Sequence, residues 1–243
     1  MKTVATIEAR MNSTRLPGKV LKEVCGKPIL ELMVERLQRC ENLDDIVIAS
    51  SVHSSCDAIE ALARRIGVHV YRGSEDDVLG RVLEAAKYVQ ADVIVELTGD
   101  CPLIDPAIID QIIKEYFVNG TDYCANVLKR TYPAGMDTQV FSSVILQKVA
   151  QLTQDPADRE HVSLYIYQHP ELFSLYNVES DLPDYMKDWR LVVDTAEDFE
   201  LIRRIFEDIY PNKPAFSLVD IRKTLELHPD WLELNKHLVK KAD

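Results

Sequence analysis

VATIEARMNSTRLPGK, running from Val4 to Lys19, opens on a short apolar β-like run at 4–9 and passes straight into a loop rich in Arg, Ser, Pro and Gly. Pro28 then opens a stretch in which Ile29, Met33, Leu37 and Cys40 recur at helical spacing. Proline suits a first helical turn, where its missing N–H has no intrahelical partner to lose. Strand, polar loop and helix in that order make the first unit of an α/β chain.

The pattern repeats outward from this unit. Apolar runs at 46–49, 68–71 and 93–97 read as strands. Between them lie helical stretches at 58–66 and around Val78, Leu79, Val82, Leu83 and Ala86. Asp105-Pro106 reads as an N-cap with proline at the first helical position, followed by an apolar face from Ile108 to Phe117. This βαβαβαβα alternation predicts an α/β fold of three αβα layers, Rossmann-like, with a mostly parallel, mixed sheet. The second half is less regular. It has β-like runs near 122–124, 136–141, 173–178 and 190–193, and helices near 143–151, 159–169, 196–209, 219–227 and 231–238. No repeat, low-complexity stretch or linker interrupts the chain, so residues 1–243 read as one domain.

Composition narrows the function. With 28 Lys and Arg against 40 Asp and Glu, the net charge is −12. General nucleic-acid binding and attachment to anionic membranes both need a broad basic face, which this chain lacks. The five cysteines show no zinc spacing and read as reduced thiols. The start lacks the apolar stretch of a signal peptide, and no run is long enough to span a membrane. A soluble cytoplasmic protein is the expectation.

In open α/β sheets, ligands sit beyond the carboxyl ends of the strands. Arg10, Ser50-Ser51, Arg72-Gly73, Gly99-Asp100 and Asp194 follow successive strand candidates, so parallel strands bring them to one edge. Arg10, Arg15 and Lys19 share one loop with the hydroxyls of Ser13 and Thr14 and the backbone of Gly18. Forked guanidinium groups and a mobile ammonium suit a triphosphate, although a solvated basic loop looks the same. The glycine spacing of a Walker A loop is absent. Asp100, just past a buried strand, reads either as a ligand for a hard cation or as a turn aspartate. Thr195 and Asp198 have the spacing of a helix capping box, which leaves Asp194 free for other work. Arg81 either approaches a nucleotide or is a surface helix arginine. His161 reads equally as a ligand contact or as a helix-surface histidine, with Glu160 as an ion-pair partner. No other histidine has metal spacing.

The string from Ala9 to Lys19 resembles the N-terminal signature of the CMP-sugar synthetases, which include 3-deoxy-manno-octulosonate and acylneuraminate cytidylyltransferases. Gly26-Lys27-Pro28-Ile29 and Leu97-Thr98-Gly99-Asp100-Cys101-Pro102 are similar to further elements of that family, with Thr98 where a glutamine is common. Val78-Leu79-Gly80-Arg81, Tyr132 to Asp137 and Arg159-Glu160-His161 look more like the spore-coat polysaccharide biosynthesis protein F group.

The resemblance implies a nucleotide-diphospho-sugar transferase fold that moves CMP from CTP to a sugar, of the nonulosonic or a related acidic class, and releases pyrophosphate. It implies nucleotide contacts from Ala9, Arg10, Ser13, Arg15, Gly18, Lys19, Arg81 and Gly99. Lys19, Arg15 and Asp100 would be catalytic, and Asp100 with Asp194 would hold Mg²⁺. Tyr132, Asp137, Arg159 and His161 are the corresponding sugar-site candidates, since an Arg and a His suit a sugar carboxylate. The nucleotide half would be 1–125, and 126–243 the sugar-binding and dimerising half of a homodimer. A nucleotide-sugar-consuming glycosyltransferase and a catalytically silent nucleotide-binding regulator are the alternatives; intact Arg10, Arg15, Lys19, Asp100 and Asp194 speak against the second.

Overall fold

β1 (Thr3–Ala9) runs through the middle of a seven-stranded sheet, because its residues are buried on both faces. The computed structural model describes residues 1–238. After β1 come a small antiparallel hairpin, β2 (Glu23–Val24) and β3 (Lys27–Pro28), and helix α1 (Ile29–Leu37). Pro28 therefore ends β3 and stands one step before the helix, rather than inside its first turn. The chain continues through β4 (Asp45–Ser51), α2 (Asp57–Ile66), β5 (His69–Gly73), α3 (Val78–Tyr88), β6 (Val93–Thr98) and α4 (Pro106–Asn119). Every element read in this half is present. The Asp105 side chain accepts from the Ala107 N–H with Pro106 at the first turn, as its sequence required.

The second half adds β7 (Tyr123–Ala125), β8 (Gln139–Ser142), α5 (Ser143–Leu152), α6 (Pro156–Glu160), α7 (Leu164–Gln168), β9 (Leu175–Asn177), α8 (Ala196–Ile209) and α9 (Leu218–Leu227). Three expectations fail here. The helix read over 159–169 is two short helices, broken where Val162 adopts φ +33. Burial of the Val162 side chain, 1% exposed, compensates this uncommon geometry for a β-branched residue. The run at 190–193 forms no strand and bends at Val192, because its backbone bonds go to two different loops. The helix read at 231–238 is a 3₁₀ turn over Pro229–Leu234.

The sheet order is β5-β4-β1-β6-β8-β7-β9, with β8 antiparallel to both of its neighbours. The remaining pairings are parallel. Alternation along β1 and its neighbours divides the core. Ala5, Ile7, Ile48, Val95 and Leu97 pack with α1, α2, α4, α8 and α9 on one face. Val4, Val47, Ala49 and Ile94 pack with α3, α5 and α7 on the other. The chain winds from β1 out to β4 and β5, then returns to β6 on the opposite side of β1. That reversal opens a crevice beyond the ends of β1 and β6. The two ends approach closely: the Gly99 N–H donates to the Glu8 carbonyl at 2.8 Å, and a Cβ at Gly99 would lie 3.0 Å from that oxygen.

Candidate active site

A cavity of about 600 Å³ opens at this crevice, within the size range of small-ligand sites. The loop after β1 forms one wall. Gly18, at φ +68, turns the chain so that its N–H donates to the Met11 carbonyl at 2.9 Å and closes the loop. Lys19 then begins a 3₁₀ turn and sends its side chain across the crevice. Its Nζ donates to Asp100 Oδ2 at 2.6 Å and to Asp194 Oδ1 at 2.8 Å.

Each carboxylate is held from behind. The Thr98 hydroxyl donates to Asp100 Oδ1 at 2.6 Å. The Val193 N–H donates to the Asp100 carbonyl at 2.8 Å, which seats the 190–194 segment against the end of β6. Asp194 Oδ2 accepts from Arg190 Nη2 at 2.8 Å and lies 3.0 Å from Arg15 Nη2. Arg190 also reaches Asp198 Oδ1 at 2.9 Å, and the Asn235 amide donates to the same oxygen at 2.9 Å. Asp198 forms the expected capping box with Thr195 and accepts the Asp194 N–H at 3.0 Å. One fully buried carboxylate thus starts α8, anchors Arg190 and aims Asp194.

The electrostatics keep Lys19 and Asp194 charged. Burial pulls the Lys19 ammonium down, but the adjoining Asp100 and Asp194 more than offset it and raise its pKa. Burial likewise pushes Asp194 up, yet hydrogen bonds and charge from Lys19, with Arg190 and Arg15, hold it below its usual value. Glu8 behaves differently: burial pushes its carboxyl up to about 7, partly opposed by the nearby Arg81 charge.

Asp100 and Asp194 each place an oxygen within 2.8 Å of one cationic atom, so two hard carboxylates converge on a single cation position. That donor set fits Mg²⁺, which binds through one or two carboxylates and takes other ligands from phosphates and water. No group of three or more His, Cys, Asp or Glu forms a metal cage among the described residues.

Of the residues singled out in the sequence, Ala9, Arg10, Ser13, Arg15, Lys19, Arg81, Asp100, Asp137, His161 and Asp194 line this one cavity. Arg10 also lies 3.5 Å from Glu75. Gly18 and Gly99 shape backbone turns and are not among the lining residues. Two others are elsewhere. Tyr132 is buried at 4% exposure, with its hydroxyl 3.4 Å from Gln111. Arg159 ties α6 to the start of α3 through Asp77 and to α5 through the Ala150 carbonyl, outside this cavity. The sequence reading missed Glu8, Arg130 and Arg190, which also line it. Arg130 pairs with Asp137 at 2.8 Å. An acid inside an apolar strand was the available signal for Glu8; Arg190 had none beyond its nearness to Asp194 in sequence.

Comparison with known proteins agrees with this geometry. Residues 4–225 match the family model described as cytidylyltransferase. The chain is 34% identical to the spore coat polysaccharide biosynthesis protein SpsF of Bacillus subtilis, over 92% of this chain and 94% of that protein. It is 26% identical to a 3-deoxy-manno-octulosonate cytidylyltransferase of Geobacter metallireducens, over 93% and 97%. Among solved structures, a cytidylyltransferase from Leptospira borgpetersenii superposes over 100% of both chains, with a TM-score of 0.90 and 33% identity. A CMP:2-keto-3-deoxy-manno-octonic acid synthetase complexed with CTP shares the fold, at a TM-score of 0.62 and 20% identity over 86% and 99%. A phosphate-suited basic loop, two convergent carboxylates and a family match along most of its length place this chain in the cytidylyltransferase family.

Proposed function

We propose that the protein transfers CMP from CTP to the hydroxyl of an acidic sugar, of the nonulosonic class or a relative, for surface polysaccharide or glycan synthesis. The observation that carries this reading is Lys19 Nζ held between Asp100 and Asp194, at 2.6 Å and 2.8 Å, in a cavity also lined by Arg10 and Arg15. The sugar hydroxyl gives up its proton to solvent and forms a bond to the α-phosphorus as the bond to pyrophosphate breaks, so charge accumulates on the leaving group. Such transfer depends on positioning and charge neutralisation. Arg10, Arg15 and Lys19 bind the triphosphate and neutralise the departing pyrophosphate. Asp100 and Asp194 would hold Mg²⁺, which when bound supplies charge neutralisation at the phosphates. Thr98 and Arg190 orient the two carboxylates.

The sugar has room on the β8 side, where Arg130, Asp137, Gly135 and Val192 line the cavity. No helix among the described residues is long and apolar enough to cross a membrane; the cytoplasmic location and homodimeric state in this proposal come from the family resemblance alone. Pyrophosphate release, measured for four nucleoside triphosphates against a panel of acidic sugars with and without Mg²⁺, tests the reading. Release with CTP, one acidic sugar and Mg²⁺ together is expected; release independent of CTP, or none with any acidic sugar, overturns it.

A further inference from the structure

The 3₁₀ turn over Pro229–Leu234 packs on α8 and α9. Trp231, Leu232 and Leu234 rest against the core there, and the Arg204 guanidinium of α8 lies 6.0 Å from the centre of the Trp231 ring. No residue from 229 to 235 lines the active-site cavity. Directly after this turn the chain sends one polar side chain inward. Asn235 is 2% exposed, although Glu233, Lys236 and His237 around it are exposed. Burying an amide is costly unless its polar atoms are matched, so the contacts of this one matter.

The Asn235 Nδ2 donates to the Arg190 carbonyl and to Asp198 Oδ1, each at 2.9 Å. Asp198 Oδ1 also accepts from Arg190 Nε at 2.9 Å. Its Oδ2 accepts from Arg190 Nη2 at 3.0 Å and from the backbone N–H groups of Asp194 and Thr195 at 3.0 Å and 3.1 Å. Five hydrogen bonds thus saturate one buried carboxylate. Of these donors, Asn235 alone comes from outside residues 190–195. Its amide grips Arg190 at the backbone carbonyl and, through Asp198, at the guanidinium. Fixing both ends of a long side chain leaves it little rotamer freedom. Arg190 Nη2 then meets Asp194 Oδ2 at 2.8 Å.

We propose that Asn235 is a positioning residue for the cation site: it holds Arg190, and through Arg190 the Asp194 carboxylate, in the direction that meets Asp100. This inference rests on the Mg²⁺ role given to Asp100 and Asp194 above. The partners behind a metal-binding carboxylate set its orientation, and with it the affinity for the ion. Asn235 itself touches neither the cavity nor the cation position. Without its amide, Arg190 and Asp198 still pair with each other, but the pair is no longer pinned to the turn that packs on α8. Asp194 moves with Arg190 and loses its fixed distance to Asp100. A polar side chain in the C-terminal turn thereby tunes a site built on the ends of β1 and β6.

The test reads metal binding without turnover. Mn²⁺ stands in for Mg²⁺, the nucleotide is α,β-methylene-CTP, which cannot release pyrophosphate, and no sugar is added. Free Mn²⁺ is followed by electron paramagnetic resonance as protein is titrated in. The wild-type complex should hold Mn²⁺ more tightly than the nucleotide alone does. Asn235→Ala should weaken that binding by roughly tenfold, as for the loss of an outer partner of a metal ligand. Asn235→Ser, which keeps one donor, should fall between the two and serves the same comparison if the alanine variant does not fold. Ile205→Val, a shortened core side chain of α8, should melt lower yet bind Mn²⁺ as the wild type does. In an Asp194→Asn background, Asn235→Ala should add no further loss, because the effect passes through Asp194. If the Asn235 variants melt lower but keep wild-type Mn²⁺ affinity, or if the losses add in the double variant, the inference fails while the Mg²⁺ reading stands. If the wild-type protein adds nothing to the affinity of the nucleotide alone, both fall.

Discussion

Lys19 and Asp100 are 81 residues apart in the chain and 2.6 Å apart in the fold. The same ammonium reaches Asp194 at 2.8 Å, so one cation bridges two carboxylates that would otherwise repel each other. Lys19→Ala should therefore lower turnover by about 10²-fold or more, the range seen when one charge-stabilising group is lost. Stability should fall by about 1–3 kcal/mol, because a partly buried pair of acids loses its counter-charge. Millimolar Mg²⁺ should raise the melting temperature of this variant more than that of the wild type. Equal shifts in the two proteins would show that the carboxylates do not share a cation position.

Asp194 ties stability to acid. Its folded pKa lies below the ordinary 3.8, so its ion pairs contribute fully above that value. The contribution is lost as pH falls through the lowered folded value. Denaturant titrations of wild type and Asp194→Asn between pH 3 and 6 should show a stability gap that narrows toward the acid end. A gap that stays constant across this range counts against the Lys19 and Arg190 contacts as its cause.

Glu8 should act in the opposite sense. Its folded pKa is raised to about 7 from an ordinary 4.5, so the folded chain holds a proton there that the unfolded chain has already released. Stability from this group is present below about 4.5 and is lost as pH rises to about 7. Glu8→Gln, which is neutral throughout, should match the wild type near pH 5 and melt above it at pH 8. Parallel melting curves across that interval would show that Glu8 ionises freely.

Gly135 holds a backbone contact that seats the 190–194 segment. It adopts φ +99, and a Cβ there would collide with the Leu191 carbonyl. Its neighbour Ala134 exchanges backbone bonds with Trp189 and Leu191, at 3.1 Å and 2.8 Å. Gly135→Ala should cost about 2 kcal/mol or more, from strain and the clash together. Turnover should fall with it, since Asp194 rides on the displaced segment. Denaturation and pyrophosphate-release assays on one preparation check both effects.

The first half of the fold was legible because its signals are local. Periodic apolar residues and the Asp105-Pro106 cap depend on neighbours within a turn of helix or a few strand residues, as does the Thr195–Asp198 capping box in the second half. The second half was harder to read for the complementary reason. Residues 190–193 have the composition of a strand, but their backbone groups bond to Ala134 and Asp100, and no periodicity encodes that choice. Tyr132 and Arg159 stood in suggestive strings, yet burial and the Asp77 contact took them out of the cavity.

The sequence by itself determined the alternation of strands and helices, the cationic loop from Arg10 to Lys19, and two candidate acids, Asp100 past a strand end and Asp194 before a helix cap. Only the tertiary structure decided that Asp100 and Asp194 meet at one ammonium, that Arg190 and Asp198 aim the second acid, and that Glu8 faces the cavity beside Arg81. The division is physical. Hydrophobic period and capping chemistry act over a few residues. Convergence of charges depends on sheet order and on single long-range backbone bonds, such as that from Val193 to Asp100.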